Sequence, residues 1–472
     1  PLPLPGEDPF AEGLFDAPLI DYTLPPGADF FDPPPDDALP PLTGSAANSD
    51  PTVNLAKLET GPLGFTNGGG TTFDSLVTNS FQAGASALAD LDNDGDLDIV
   101  MHGYDSVAGS ATSSTYVGIN DGSGNFTYNV AITNNLYMKR MDVGDVNGDG
   151  VADIVFAENS ATAQPIYFGD GTGGFTQSSQ IISTTGGITG TTNVALADFN
   201  GDGLNDMFVN IDAGIKVFLN AQGGDAPGVF TDTGQSLTST KTTQSYRGLA
   251  VGDIDGDGDI DAVTGSWAED MDIWVNDGAG AFSNTGVFGT GRLETSAGAS
   301  NGVDLGDLDG DGDLDIFVFN RYIQNKVFLN DGTGNFTETQ TVGTTGARDD
   351  GKLVDIDGDG DLDAIMASDA GAEVYLNDGN ANFTVQNFNI GASWSLQVHG
   401  GDLNGDGAKD ILVANPGTTG SDILTNTQVA PNAELIRAGP STFPQSTFGV
   451  SAADHPAASS FTFVFDAFPA NS

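Results

Sequence analysis

The chain has 472 residues, with 66 Asp and Glu against 13 Lys and Arg, a net charge of −53 and no cysteine. A surface of that sign repels nucleic acid and anionic membranes, and no hydrophobic run is long enough for membrane insertion, so neither is a partner. The length suffices for several domains or one large repeat array, and the absence of cysteine fits an exported protein that relies on metal in place of disulfides.

Residues 1–60 are the first segment. Twelve of the 22 prolines and ten acids fall within the first 50 positions, which hold no Lys or Arg, as in Asp32-Pro33-Pro34-Pro35-Asp36-Asp37. This composition predicts an extended, polyproline-like tail with no core of its own. Its spaced apolar residues, Phe10, Leu14-Phe15, Leu19-Ile20, Tyr22 and Phe30-Phe31, suit a tail lying on a surface, its own or a neighbour's. The chain opens Pro1-Leu2-Pro3 with neither Met nor a basic run, so it reads as a mature or trimmed form without its signal peptide.

Residues 61–428 carry a nonapeptide that occurs seven times, at intervals of 55, 53, 55, 54, 48 and 47 residues. Position one is Asp90, Asp145, Asp198, Asp253, Asp307, Asp355 or Asp402, and position five is Asp94, Asp149, Asp202, Asp257, Asp311, Asp359 or Asp406. Position nine is Asp98, Asp153, Asp206, Asp261, Asp315, Asp363 or Asp410. Position three always offers a side-chain oxygen: Asp92, Asn147, Asn200, Asp255, Asp309, Asp357, Asn404. Position six is always Gly, as expected where a loop must take a positive φ to wrap an ion. Position seven varies: Asp96, Val151, Leu204, Asp259, Asp313, Asp361, Ala408. Valine, leucine and alanine can ligate only through the backbone carbonyl, the role of the seventh position in calcium loops.

Carboxylate and carbonyl oxygens without His or Cys favour Ca²⁺, about seven ions, one per repeat. An EF-hand is excluded because its bidentate Glu at position twelve is replaced by Met101, Phe156, Val209, Thr264, Val318, Met366 and Val413. Those residues belong to strand-like runs such as Ile316-Phe317-Val318-Phe319, which leaves position nine as the expected closing ligand. Carboxylates packed so densely couple metal binding to folding, and the free calcium needed exists outside cells, so the expected location is extracellular or at the cell surface.

Downstream of each loop lies a second signature, Asn120-Asp121-Gly122-Ser123-Gly124-Asn125-Phe126 in the first repeat, whose positive-φ residues predict a hairpin. One unit is then an inner strand, the ion loop, two further strands, the hairpin and a fourth strand beginning at the Phe. Four antiparallel strands at this period describe a propeller blade. The predicted fold is all-β, a seven-bladed β-propeller with a Ca²⁺-binding loop in each blade and extended N- and C-terminal tails. The last unit lacks its hairpin and fourth strand, while an orphan hairpin, Asn67 to Phe73, preceded by Leu63-Gly64-Phe65-Thr66, lies before the first ion loop, so the two are expected to pair and close the ring.

The Asp-x-Asp-x-Asp-Gly-x-x-Asp loop with its downstream Gly-x-Phe turn resembles the FG-GAP and VCBS-type repeats of integrin α-subunit propellers and secreted bacterial proteins, over about residues 63–427. The resemblance implies an ion loop between the first two strands of each blade. Loops in all seven repeats imply that the metal stabilises rather than regulates, and the scarcity of Phe-Gly and Gly-Ala-Pro signatures points to the bacterial branch. No integrin ligand-binding residue has a counterpart here.

Residues 429–472 form a second tail, with Phe461, Phe463 and Phe465 on one face of a predicted strand that needs a partner. Three His, no Cys and no Gly-x-Ser-x-Gly give no catalytic constellation, so the chain is read as a non-enzyme. The expected function is an extracellular structural or adhesive subunit, forming homo-oligomers or polymers through its tails. The alternative is a monomeric module that binds a glycan or a surface protein, in which Trp267, Trp274 and Trp394 could serve as sugar platforms.

Overall fold

The computed structural model describes residues 63, 65–67, 81–105, 112–134, 138–158, 163–180, 182–183, 192–211, 214–238, 246–266, 271–285, 300–320, 323–343, 348–368, 371–390, 397–414 and 421–428. Both tails proposed above lie outside the described residues.

Seven four-stranded antiparallel sheets follow one another, with almost no helix. Blade 3 shows the plan: an inner strand Asn193–Ala197, then Asp206–Ile211, Gly214–Asn220 and an outer strand Phe230–Asp232, each paired with the next. Blades 1, 2, 4, 5 and 6 repeat it with inner strands Phe81–Ala89, Met138–Gly144, Tyr246–Gly252, Ser300–Gly306 and Arg348–Val354. Neighbouring inner strands pack in ring order, and the inner strand of blade 7, Gln397–Gly401, returns to that of blade 1. Blade 7 takes its fourth strand from the N-terminal side. Phe65, Thr66 and Asn67 pair with Asn426, Thr425 and Leu424, which closes the ring as the sequence predicts.

The core is a set of layers between blades rather than one central mass. Val155, Ala157 and Ile166 of blade 2 pack on Val194, Leu196 and Met207 of blade 3, and Phe317, Phe319 and Val327 of blade 5 on Leu353, Met366 and Tyr375 of blade 6. The seam between blades 7 and 1 is filled by Leu403, Leu412 and Ala414 against Ala83, Ile99 and Met101. Because a blade is covered on both faces, its second strand is buried throughout, and within Asp315–Asn320 the stretch Ile316-Phe317-Val318-Phe319 is continuously apolar instead of alternating. At the rim three Gln side chains imitate a strand. The Gln180 amide accepts from Phe230 N and donates to its carbonyl, Gln340 does the same with Phe383 between blades 5 and 6, and Gln235 accepts Phe282 N and donates to Gly280 O between blades 3 and 4.

Candidate metal centres

The seven loops fold alike. In each, the position-one carboxylate accepts the position-six N–H at 2.8–3.1 Å, and the position-five carboxylate accepts the position-seven N–H at 2.9–3.1 Å. The position-six glycines sit at φ between 82° and 99°, a conformation that a side chain would strain. These bonds curl alternate side chains inward. Oxygens from Asp90, Asp92 and Asp94 lie within 4.8 Å of one another, as do those of Asp307, Asp309 and Asp311, of Asp355, Asp357 and Asp359, and of Asp253, Asp255 and Asp261.

One oxygen in each of these four loops shows that the residues fit a cation. Asp92 Oδ1, Asp255 Oδ1, Asp309 Oδ1 and Asp355 Oδ1 are buried and receive no hydrogen bond. An acceptor in that position loses its water without compensation, and a hard cation at the convergence of the carboxylates supplies what is missing. The loops from Asp145, Asp198 and Asp402 make the same turn, but no group of three carboxylates draws together there among the described residues. At position seven, the Asp96, Asp259, Asp313 and Asp361 carboxylates lie against the hairpin glycines Gly122, Gly278, Gly332 and Gly379, whereas Val151 packs beside Gly169.

Position nine has a structural task that the residue pattern did not disclose. All seven of these aspartates are buried, and each carboxylate accepts a main-chain N–H from position two and one from the end of the third strand, with Asp153 and Asp363 taking the position-three N–H as well. Asp315 takes Leu308 N at 2.9 Å and Asn330 N at 2.8 Å, and Asp206 takes Phe199 N at 3.0 Å and Asn220 N at 2.7 Å. The carboxylate therefore buckles the ion loop to the hairpin. Burial pushes its pKa up, to about 6 for Asp98, Asp153 and Asp261, about 7 for Asp206, Asp315 and Asp410, and about 8 for Asp363.

The hairpin Asn extends this buckle to the neighbouring blade. Asn330 Nδ2 donates to Leu314 O in its own loop at 3.1 Å and to Ile254 O in the loop of the preceding blade at 2.8 Å, while its Oδ1 accepts Gly334 N at 3.0 Å. Asn120, Asn220, Asn276, Asn377 and Asn426 make the same cross-blade bond, to Leu403, Val146, Phe199, Leu308 and Ile356. Blade 2 has Gly169 at this place, where a Cβ would come within 2.3 Å of Ala152 O, and the bond is missing. Asn330→Ala should therefore destabilise the ring by roughly 2–4 kcal/mol in urea titrations, since it strands two buried carbonyls. Asn330→Asp should do at least as much, because it sets carboxylate oxygens against carbonyl oxygens.

With the repeat geometry in place, comparison with known proteins is decisive for the family. The sequence profile of the FG-GAP-like repeat matches residues 145–209, 198–264, 256–318, 307–353 and 355–413, more than half the chain. The chain belongs to the FG-GAP-like repeat family. The loop beginning at Asp90 lies outside the matched stretches but has the same geometry as those inside. No curated protein sequence matches the chain. Among solved structures, the BP39L lectin from Burkholderia pseudomallei is 13% identical, with 75% of this chain and 98% of that one covered and a TM-score of 0.53, which supports the fold alone. A lectin from Agrocybe aegerita that recognises non-reducing terminal N-acetylglucosamine is 22% identical, with 65% and 80% covered and a TM-score of 0.47.

The middle of this FG-GAP propeller is closed by charge. Arg140 Nη1 of blade 2 reaches Asp350 Oδ2 of blade 6 at 3.7 Å, nearly across the ring, with both side chains at most 2% exposed. Lys352 Nζ lies 3.7 Å from Asp304 Oδ1 of blade 5. Asp142 and Asp304, each three residues before an ion loop, accept Leu196 N at 2.7 Å and Leu353 N at 2.9 Å from the next blade. Burial raises Asp142 to about 8 and lowers His399 to about 3, so the imidazole is neutral. His399 Nε2 is 2.8 Å from Ser86 Oγ, a pairing of blades 7 and 1 that sequence reasoning did not find. Both side chains are buried and the Ser86 hydroxyl is engaged by Gln397 Oε1 at 2.9 Å, so nothing presents it as a nucleophile. His102 is likewise a core residue, on Thr115 Oγ1 at 3.0 Å and edge-on to Phe156. Trp274 is packed, with its indole N–H on Thr264 Oγ1 at 2.9 Å, and offers no sugar platform; Trp267 and Trp394 lie outside the described residues. Among the described residues no helix is long and apolar enough to cross a membrane.

Proposed function

We propose that the chain is a non-catalytic, Ca²⁺-stabilised propeller that acts outside the cell as a structural or adhesive subunit, linked to neighbouring copies through its terminal tails. The observation that carries the metal part is the set of buried carboxylate oxygens without donors at the convergence points of four loops. They call for a hard cation, and calcium is the one whose loop chemistry matches. Free calcium at the concentrations such loops need is found outside cells, where FG-GAP repeats are typical. A scaffold role agrees with a ring whose centre is bridged by Arg140 and Asp350. Assembly is the part assigned to the tails, from their proline, acidic and aromatic content.

The competing reading is glycan binding between blades, as the lectins that share the fold suggest. Sedimentation of the full chain in millimolar Ca²⁺, beside a form trimmed to about residues 60–428, separates the two. Large species from the full chain and monomers from the trimmed one support assembly. Monomers from both remove its basis, and glycan screening follows.

A further inference from the structure

The seven loops are not equivalent, and the difference shows in three features. Residue type is the first: Asp at position three is always accompanied by Asp at position seven, in the loops from Asp90, Asp253, Asp307 and Asp355. The loops from Asp145, Asp198 and Asp402 pair Asn147, Asn200 and Asn404 with Val151, Leu204 and Ala408. Each loop of the first kind therefore carries five carboxylates and each of the second kind three.

Internal satisfaction is the second feature. In the three Asn loops the position-three side-chain carbonyl, the only oxygen that side chain has, accepts the position-five N–H at 2.9 Å, whereas Asp357, which makes the same bond at 3.2 Å, keeps a second carboxylate oxygen. No buried side-chain oxygen of those loops is left without a donor. Each acidic loop keeps one such oxygen, on Asp92, Asp255, Asp309 or Asp355. The third feature is the setting. Only in blades 1, 4, 5 and 6 does an Asn-Asp-Gly hairpin press against the loop, with its glycine so close to the position-seven carboxylate that a Cβ would come within 2.3–2.5 Å of it. The extra negative charge is thereby held at the loop instead of swinging into solvent.

Resting on the calcium reading above, we propose that the propeller has two classes of Ca²⁺ site: four tight ones in blades 1, 4, 5 and 6, and three weaker ones in blades 2, 3 and 7. Calcium affinity in oxygen-ligand loops rises with the charge of the ligand set, and five crowded carboxylates also gain the relief of their mutual repulsion when the ion enters. The Asn loops have less repulsion to relieve and a single side-chain oxygen at position three, already bonded to their own backbone. Occupancy is then graded. The acidic loops hold their ions as calcium falls, and blades 2 and 3, adjacent in the ring and flanking a junction of their own, release theirs first together with blade 7.

Equilibrium dialysis of the full chain against buffered Ca²⁺, with bound calcium per chain measured by atomic emission, tests this. Two steps are expected, the first filling about four sites and separated from the second by about tenfold or more in free calcium. The double variant Asn200→Asp with Leu204→Asp should move one equivalent from the second step into the first. Asp309→Asn with Asp313→Leu should move one the other way. A single step of seven equal sites, or an unchanged first step in the Asn200→Asp, Leu204→Asp chain, overturns the two classes and leaves the calcium reading standing. A chain that takes up no calcium overturns both.

Discussion

In excess chelator the propeller should melt far below its calcium-loaded temperature, because the ions bind only the folded ring. Each site whose Kd lies a hundredfold below free calcium contributes about 2.7 kcal/mol, so four such sites supply on the order of 10 kcal/mol. For a ring of this size that is a drop of about 10–15 °C, read by calorimetry. Readdition of Ca²⁺ should restore the transition, and Mg²⁺ should do so poorly, since it holds its water and demands a regular octahedron. The pH dependence should change sign with loading. Without metal, the buried position-nine carboxylates have pKa values raised to about 6 to about 8 from an ordinary 3.8, so the folded chain holds protons that the unfolded chain has released. Stability of the stripped protein then rises as pH falls through that window and is greatest below the unfolded value. With calcium present, protons compete with the ion for the same loops, and acidification lowers the melting temperature. An unchanged melt in chelator would remove the cation from the account of this fold.

The repeat was legible because a ligand loop constrains residue type position by position, and seven copies in one chain display the constraint without any second sequence. Blade number, strand order and closure from the N-terminal side followed from the same periodicity, and the structure places the closing strand at Phe65–Asn67. The pattern was silent where a residue acts through position in the ring. Asn330 reads as hairpin chemistry, and only the folded ring shows that its amide reaches Ile254 O, 76 residues away. Asp315 reads as a ligand, and its two backbone donors come from elements that the loop alone does not bring together. In the Asn-Phe-Thr triplets beginning at Asn125, Asn335 and Asn382, each Asn side-chain amide donates to the hairpin Asp at 3.0–3.1 Å. Arg140 and Asp350 carry no signal of their pairing in sequence, being 210 positions apart.

That pair should be the most sensitive point of the ring's centre. Arg140→Met is expected to lower stability by about 3–5 kcal/mol, measured by urea titration of the calcium-loaded chain, because it leaves the Asp350 carboxylate buried without its cation. Asp350 cannot turn away to water. Its Oδ1 accepts Gly351 N at 2.9 Å and occupies the space beside Gly302, where a Cβ would come within 2.7 Å of it. The double variant Arg140→Met with Asp350→Leu should recover most of the loss, since two apolar side chains remove both the charge and its desolvation cost. Recovery would mean that the bridge holds no net stability over an apolar plug, and that its value lies in orienting blades 2 and 6 across the channel. Loss in both variants alike would instead trace the effect to Arg140's own packing, and a wild-type melt in Arg140→Met would show that the centre of the ring does not depend on the pair. The energetics then divide by place. Carboxylates at the ends of the blades wait for an external cation, while those at the centre are met by Arg140, Lys352 and the backbone of the next blade. Calcium removal should therefore loosen the loops and their hairpins before it reaches the inner strands.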